Sequence, residues 1–199
     1  FIPYGADVVR DLGSDLVEAE GIEPGSYILV VARLVPENNV DLLLDALDLL
    51  PADTPAVIVG SANYDSPVEA RLRALVARRP AIRATGHVAD QDLLAQLWAN
   101  CAVYFHGHSV GGTNPALLQA LGFGAPVLAA DTVFNREVLD DDAHLVPVHA
   151  RTLADRLGAV LADARLREDL RRHGRGVVAD RYRWDDVCAR YRDVLVELA

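Results

Sequence analysis

Between Tyr104 and Val127 the chain reads YFHGHSVGGTNPALLQALGFGAPV, with a serine, two histidines and paired glycines directly behind an apolar run. Two chemistries fit this stretch. Gly107-His108-Ser109-Val110-Gly111 has the G-x-S-x-G spacing that lifts a serine nucleophile onto a sharp strand-to-helix turn. Its partners, in the required chain order, would be Asp131 and either His144 or His149. Read instead as a glycine turn, the segment Gly111-Gly112-Thr113-Asn114 opens a helix and offers backbone N–H groups to a phosphorylated ligand. The paired glycines let a diphosphate approach the backbone closely. A strand-to-helix turn without chemistry is the third reading.

Pro115 bears on the choice. If the helix began at Ser109, the proline would lie six residues inside it, removing a donor and pressing on the preceding turn at a cost of roughly 3 kcal/mol. If the helix begins later, Asn114 is a good N-cap and Pro115 takes the first helical position, where a missing N–H costs nothing. Apolar residues at 117, 118 and 121 then share one buried face. The expected arrangement is a loop over Val110 to Thr113 and a helix from Pro115.

Other groups offer less. The two cysteines, Cys101 and Cys188, are far apart and are expected as buried, reduced thiols. The six histidines form no metal-binding pattern; His106-x-His108 supplies two ligands and no third. No metal site is expected. All 19 basic residues are arginines, so any cationic phosphate contact must come from Arg or a protonated His. Arg33, at the end of an apolar run, suits that role, or else pairs with Glu37. The net charge of −10 argues against nonspecific nucleic-acid binding but not against one small anion in a local pocket. The chain is 51% hydrophobic, has no run long enough to span a membrane and no signal-peptide pattern. It lacks methionine even at position 1 and opens abruptly at Phe1, as a processed chain or a fragment would.

The elements that must hold these groups follow from the periodicity. Apolar runs at 27–32, 56–59, 82–85, 101–105, 126–130 and 145–148 read as strands. Helical periods occupy 40–50, 67–79, 90–100 and a segment from 115, with a short helix inside 11–25. Helices also fill most of 151–198, with breaks expected near Gly174 and before Trp184. Trp98, Trp184 and Tyr191 fall at helical positions expected to pack in the core. The arginine-rich run 165–175 reads as a solvated face, and Arg136-Glu137 as a salt-bridged pair at a helix start. Strands alternating with helices at this spacing predict an α/β, Rossmann-like, doubly wound parallel sheet with helices on both faces. Ligands of such sheets bind at the carboxyl ends of the strands. The loops after 27–32, 82–85, 101–105 and 126–130 should converge there.

With that order of elements, Val31-Ala32-Arg33-Leu34-Val35-Pro36-Glu37-Asn38-Asn39, Thr85-Gly86-His87-Val88-Ala89-Asp90 and Gly112-Thr113-Asn114-Pro115 through Gly124-Ala125-Pro126-Val127 resemble one family. It is the C-terminal, nucleotide-sugar-binding half of GT-B-type glycosyltransferases, of the large retaining glycosyltransferase family 4 kind. The opening Ile2-Pro3-Tyr4-Gly5-Ala6-Asp7 is similar to their interdomain connection. HGHSVGGTNP, PENN and Phe134-Asn135-Arg136-Glu137-Val138 look most like bacterial polysaccharide rhamnosyltransferases.

The resemblance implies one half of a GT-B fold that binds a nucleoside-diphosphate sugar and transfers the sugar with retention, without a cofactor or an obligatory metal. It implies a donor site of Arg33, Asn38, His87, Val88, His108, Gly111, Gly112, Thr113, Asn114 and Gln119, with His87 and Val88 facing the base. It divides the chain into a connection over 1–10, the binding domain over 11–180, and a C-terminal helix over 181–199 that packs towards an N-terminal domain. That other domain would carry the saccharide or lipid-linked acceptor. No nucleic-acid partner and no membrane contact through this domain are implied; the location would be cytoplasmic, at the inner face of the membrane through the rest of the chain. Two departures stand out. Gly111 and Gln119 replace the usual pair of glutamates, and Asn38 replaces a usual lysine. Gln119 can bond a ribose hydroxyl, though less strongly than a carboxylate. A non-catalytic nucleotide sensor would share the same pocket.

Overall fold

The computed structural model describes residues 1–62 and 66–198. Six short strands, β1 (Ile28–Val31), β2 (Ala56–Val59), β3 (Ile82–Gly86), β4 (Val103–His106), β5 (Val127–Ala130) and β6 (Leu145–Val146), form one parallel sheet in the order β3-β2-β1-β4-β5-β6. Continuous apolar runs such as Ile28-Leu29-Val30 suit strands covered on both faces. Side chains alternate between two cores accordingly. Leu29, Val57, Tyr104 and Val127 belong to one core, and Ile28, Val30, Ile58, Phe105 and Leu128 to the other.

The helices are α1 (Asp15–Ala19), α2 (Val40–Leu49), α3 (Pro67–Arg78), α4 (Gln91–Asn100), α5 (Pro115–Gly122), α6 (Val133–Leu139), α7 (Ala150–Ala162), α8 (Ala164–Arg181) and α9 (Trp184–Glu197). Helices α2, α3 and α7 supply the core that holds Val30, while α4, α5 and the second half of α8 supply the one that holds Leu29. Helix α5 starts at Pro115, and the Asn114 side chain accepts from Ala116 N at 2.9 Å, as the proline argument requires. No helix among the described residues is long and apolar enough to cross a membrane.

Several sequence expectations need correction. Helix α8 runs unbroken through Gly174. A Cβ there would lie 2.7 Å from Leu121 Cδ2, so this glycine serves close helix packing rather than a break. The break falls earlier, at Asp163, whose carboxylate caps α8 through Arg165 N and Leu166 N. The run 165–175 is only partly a solvated face: Arg171 reaches back to the carbonyls of Gly124 and Cys101, both at 3.0 Å. Trp98 is buried, in edge contact with Tyr104 and stacked on Phe123. Trp184 and Tyr191 are exposed on α9 instead, as is Cys188. Arg136 lies in the last turn of α6 and bridges Asp131 and Asp142, not Glu137.

The first residues lie along the domain. Ala6 N donates to Tyr182 O at 2.8 Å and Val9 N to Gly122 O at 3.1 Å.

Candidate functional site

The strand order reverses between β1 and β4, and at such a switch point the loops on either side diverge and leave a crevice. Here the loops are tied together at their bases. Asn39 Nδ2 donates to Gly107 O at 2.7 Å, and both the N–H and the hydroxyl of Ser109 donate to Glu37 O, at 2.9 and 2.8 Å. A Cβ on Gly107 would stand 2.3 Å from Asn38 O, so only glycine permits the approach. Asn39 adopts φ 49°, a left-handed conformation that asparagine tolerates, and turns the chain from the 3-10 turn Pro36–Asn38 into α2.

Above this base lies a cavity of about 690 Å³, within the usual range for small-molecule sites. Its walls include Val31 at the end of β1 and Arg33 just after it, Gly60 and Ser61 after β2, His87 and Val88 after β3, His108 after β4, and Ala116 at the start of α5. Gly60 forms the closest packing of the floor. Its N–H donates to Gly86 O at 2.7 Å, while Ala32 N donates to Val59 O at 3.0 Å, so the ends of three strands are locked side by side.

Of the ten residues implied as a donor site, Arg33, His87, Val88 and His108 line this one cavity. Asn38 does not: it is 4% exposed and its amide donates to Arg33 O at 2.9 Å, holding the backbone of that arginine. Gly111, Gly112, Thr113 and Asn114 form the loop before α5, with Gly111 and Gly112 exposed; no acceptor within the described chain takes the N–H groups of Gly111, Gly112 or Thr113. Gln119 is exposed on α5, one turn beyond Ala116 and so on the same face. The loop after β5 joins from below, where Asn135 Nδ2 donates to both His108 O and Ala130 O. Sequence reasoning passed over the β2 loop. The apolar run ending at Gly60 was its signal, because every strand of a parallel sheet delivers its carboxyl end to the same edge.

The electrostatics are one-sided. Among the described residues no carboxylate lines the cavity, although the chain carries a net charge of −10. Arg33 is exposed and makes no ion pair, with Glu37 or any other acid, among the described residues. The His106 and His108 rings stack at 4.4 Å with 12° between their planes. Burial, followed by the neighbouring His108, holds His106 well below the ordinary histidine value. Burial, followed by the charge of Arg33, lowers His108 to about 4. Both rings are therefore neutral at pH 7, and Arg33 is the fixed positive charge on the wall.

The same geometry removes the serine nucleophile. Ser109 lies on a loop well before α5, and its hydroxyl is committed to a backbone carbonyl. His144 is fully buried, with Nδ1 bonded to Val127 O at the start of β5, at the opposite end of that strand from the cavity. His149 caps α7, and Asp131 is held by Arg136. With no imidazole aligned on Ser109, a fluorophosphonate probe should leave it unlabelled; stoichiometric labelling, read by peptide mass spectrometry, would contradict this placement.

Comparison with known proteins agrees with the geometry. The sequence family described as Glycosyl transferases group 1 matches residues 15–177. The D-inositol 3-phosphate glycosyltransferase of Jonesia denitrificans is 32% identical over 180 residues, covering 84% of this chain and 42% of that protein. The O-antigen chain mannosyltransferase B of Escherichia coli is 29% identical over 119 residues, covering 58% of this chain and 31% of that protein. The chain thus spans less than half the length of these curated relatives. Among solved structures, the Anabaena protein HepE in complex with UDP superposes with a TM-score of 0.83 at 20% identity, over 97% of this chain and 56% of that one. The C-terminal domain of a glycosyl transferase group 1 family protein (LpcC) from Francisella tularensis superposes with a TM-score of 0.71 at 19% identity, over 92% of this chain and 97% of that domain. The fold is the Rossmann-like half of a GT-B architecture. From its sequence the chain belongs to the glycosyl transferases group 1 family.

Proposed function

We propose that this chain is the donor-binding domain of a retaining glycosyltransferase and holds a nucleoside-diphosphate sugar in the cavity at the switch point. The observation that carries this reading is the cavity's charge. In a strongly acidic chain, the walls formed by the described residues hold one arginine and no carboxylate; among those residues Arg33 makes no ion pair, and the N–H groups of the neighbouring loop have no acceptor. That arrangement selects an anion. During transfer, negative charge builds on the diphosphate as it leaves. Arg33 and the N–H groups of Gly111, Gly112 and Thr113 before α5 are placed to stabilise it without a metal. Asn38 contributes by fixing the backbone of Arg33. His87 and Val88 read the base, His108 borders the sugar, and Gln119 bonds the ribose.

The donor we infer is a thymidine diphosphate sugar with rhamnose as the sugar, on the likeness of HGHSVGGTNP and Phe134-Asn135-Arg136-Glu137-Val138 to rhamnosyltransferases. The acceptor is a growing polysaccharide or glycolipid, bound by a second, N-terminal domain of the longer enzyme, on the cytoplasmic side of the membrane. In that enzyme residues 1–10 form the connection. Helix α9 packs towards the partner domain, consistent with its exposed Trp184, Tyr191, Val194 and Leu195. Alone, the domain binds nucleotide and transfers no sugar.

Calorimetric titration with thymidine, uridine, guanosine and adenosine diphosphates tests the reading. Thymidine diphosphate should bind most tightly. A preference for another base replaces only the inferred donor, whereas absent heat from all four removes the nucleotide site.

A further inference from the structure

A second cluster, remote from the cavity, brings together three residues from separate elements. Asp141 follows α6, His144 precedes β6 and His173 lies on α8; one ligand atom from each falls within 4.8 Å of the others. In the neutral form of each ring, the hydrogen bonds fix which nitrogen carries the proton. His144 Nδ1 lies 2.9 Å from Val127 O and His173 Nε2 lies 2.7 Å from Leu139 O. A carbonyl only accepts, so each neutral imidazole spends its single N–H on the backbone. His144 Nε2 and His173 Nδ1 are left as lone pairs. The first belongs to a residue 0% exposed and has no partner among the described residues. The second faces Asp141 Oδ2 at 3.8 Å. The other carboxylate oxygen of Asp141 already accepts from Ala143 N at 2.8 Å.

With both rings in the neutral form, three acceptors converge with no donor between them among the described residues. Arg156 of α7, the nearby permanent cation, donates to Ala143 O instead of to any of the three. Lone pairs facing one another at this range repel unless a cation lies among them. We infer that Asp141, His144 and His173 form a divalent transition-metal site, with zinc as the natural occupant. Two imidazoles and one carboxylate suit zinc, whereas magnesium and calcium prefer oxygen ligands throughout. Each histidine donates its other N–H to a backbone carbonyl, which is the outer-shell support that metal-binding histidines require. The His173 and Asp141 side chains are 34% and 39% exposed, so an ion can enter and a water can complete four ligands. Around a zinc ion with bonds of about 2.0–2.1 Å the ligand atoms would draw together to about 3.3 Å. The ion would then pin the loop between α6 and β6 to α8. The sequence hides this site because its last ligand follows the others by a whole helix and a strand.

The test loads the 199-residue chain with zinc chloride, removes free ion by gel filtration, and measures metal per chain by elemental analysis. Cobalt(II) loading gives an independent readout through the intense visible bands of a tetrahedral site. Thermal melts with and without zinc follow stability. One equivalent of zinc is expected, with tetrahedral cobalt bands and a raised Tm. Asp141→Asn keeps an oxygen for the Ala143 cap, and His173→Ala removes a partly exposed ligand, so both should fold; circular dichroism checks that they do. Each should weaken zinc binding by at least the roughly 10- to 100-fold that loss of an outer-shell partner costs. The inference is overturned if the parent holds no more zinc than His173→Ala, or if cobalt binds without tetrahedral bands. It is overturned too if histidine NMR at pH 7 with zinc present shows His173 protonated on both nitrogens and paired with Asp141.

Discussion

Replacing Arg33 by alanine should weaken nucleoside-diphosphate binding by about 10- to 100-fold. A charge-assisted bond to an ionised partner contributes roughly 1.5–3 kcal/mol, and each tenfold in affinity is about 1.4 kcal/mol. The structure makes this substitution clean. The side chain is exposed and free of ion pairs among the described residues, and the turn is held by backbone contacts, Val35 N and Asn38 Nδ2 both bonding Arg33 O at 2.9 Å. Loss of binding would therefore report the ligand and not the fold. Gln119→Ala should cost less, because a neutral amide contributes only about 0.5–1.5 kcal/mol. Gln119→Glu should hold or improve affinity by offering ribose a charged acceptor. Calorimetry on the three variants gives the order. If Arg33→Ala binds like the parent while Gln119→Ala abolishes binding, the diphosphate does not lie where we place it.

The largest effect on stability should come from Gly60→Ala. The residue sits at φ +132°, and a Cβ there would stand 1.8 Å from Ala32 O. That oxygen cannot yield easily, because Ala32 N is bonded to Val59 O and Gly60 N to Gly86 O. Overpacking of this kind costs about 1–3 kcal/mol or more, and the backbone strain adds roughly 1–3 kcal/mol. For a domain of this size each kcal/mol lowers Tm by about 2–4 °C, so a fall of roughly 5–20 °C is expected. Gly112→Ala is the control, since nothing lies within 4 Å of its added carbon and its φ is not in the left-handed region. A thermal melt in which Gly60→Ala lies within about one degree of the parent would mean that the strand ends are not locked as described.

The outline of the fold was legible because buried parallel strands are short apolar runs and the helices between them carry one apolar face. The start of α5 was legible to the residue, since Asn114 and Pro115 encode a helix N-terminus by their own chemistry. What stayed hidden depends on distant partners. Gly174 has the composition of a break, yet its role is set by Leu121, fifty-three positions earlier. Arg171 belongs to a run with the look of a solvated face, but two carbonyls from distant loops draw it inward. Trp184 and Tyr191 read as core because aromatic residues usually are, and the structure leaves them exposed. Within the site, Arg33 and His108 could be named in advance. Gly60 could not be assigned a role, because its contribution is an absent side chain beside the carbonyl of Ala32, just past the end of β1.

The seam between β1 and β4 has one further property. β1 pairs with β2 through four residue pairs, from Ile28 to Val31, but with β4 through only two, Ile28↔Val103 and Leu29↔Tyr104. Beyond Leu29 the two halves of the sheet are joined by the contacts of Asn39, Ser109 and Gly107 in the loops. Mechanically, this line is more compliant than the β3-β2-β1 side of the sheet, where four pairs join each neighbour. A change in the spacing of the two halves here strains two backbone pairs and a few loop contacts, whereas the same change between β1 and β2 would shear four pairs. The cavity lies over this line, so a guest can widen it at less cost than it could part β1 from β2.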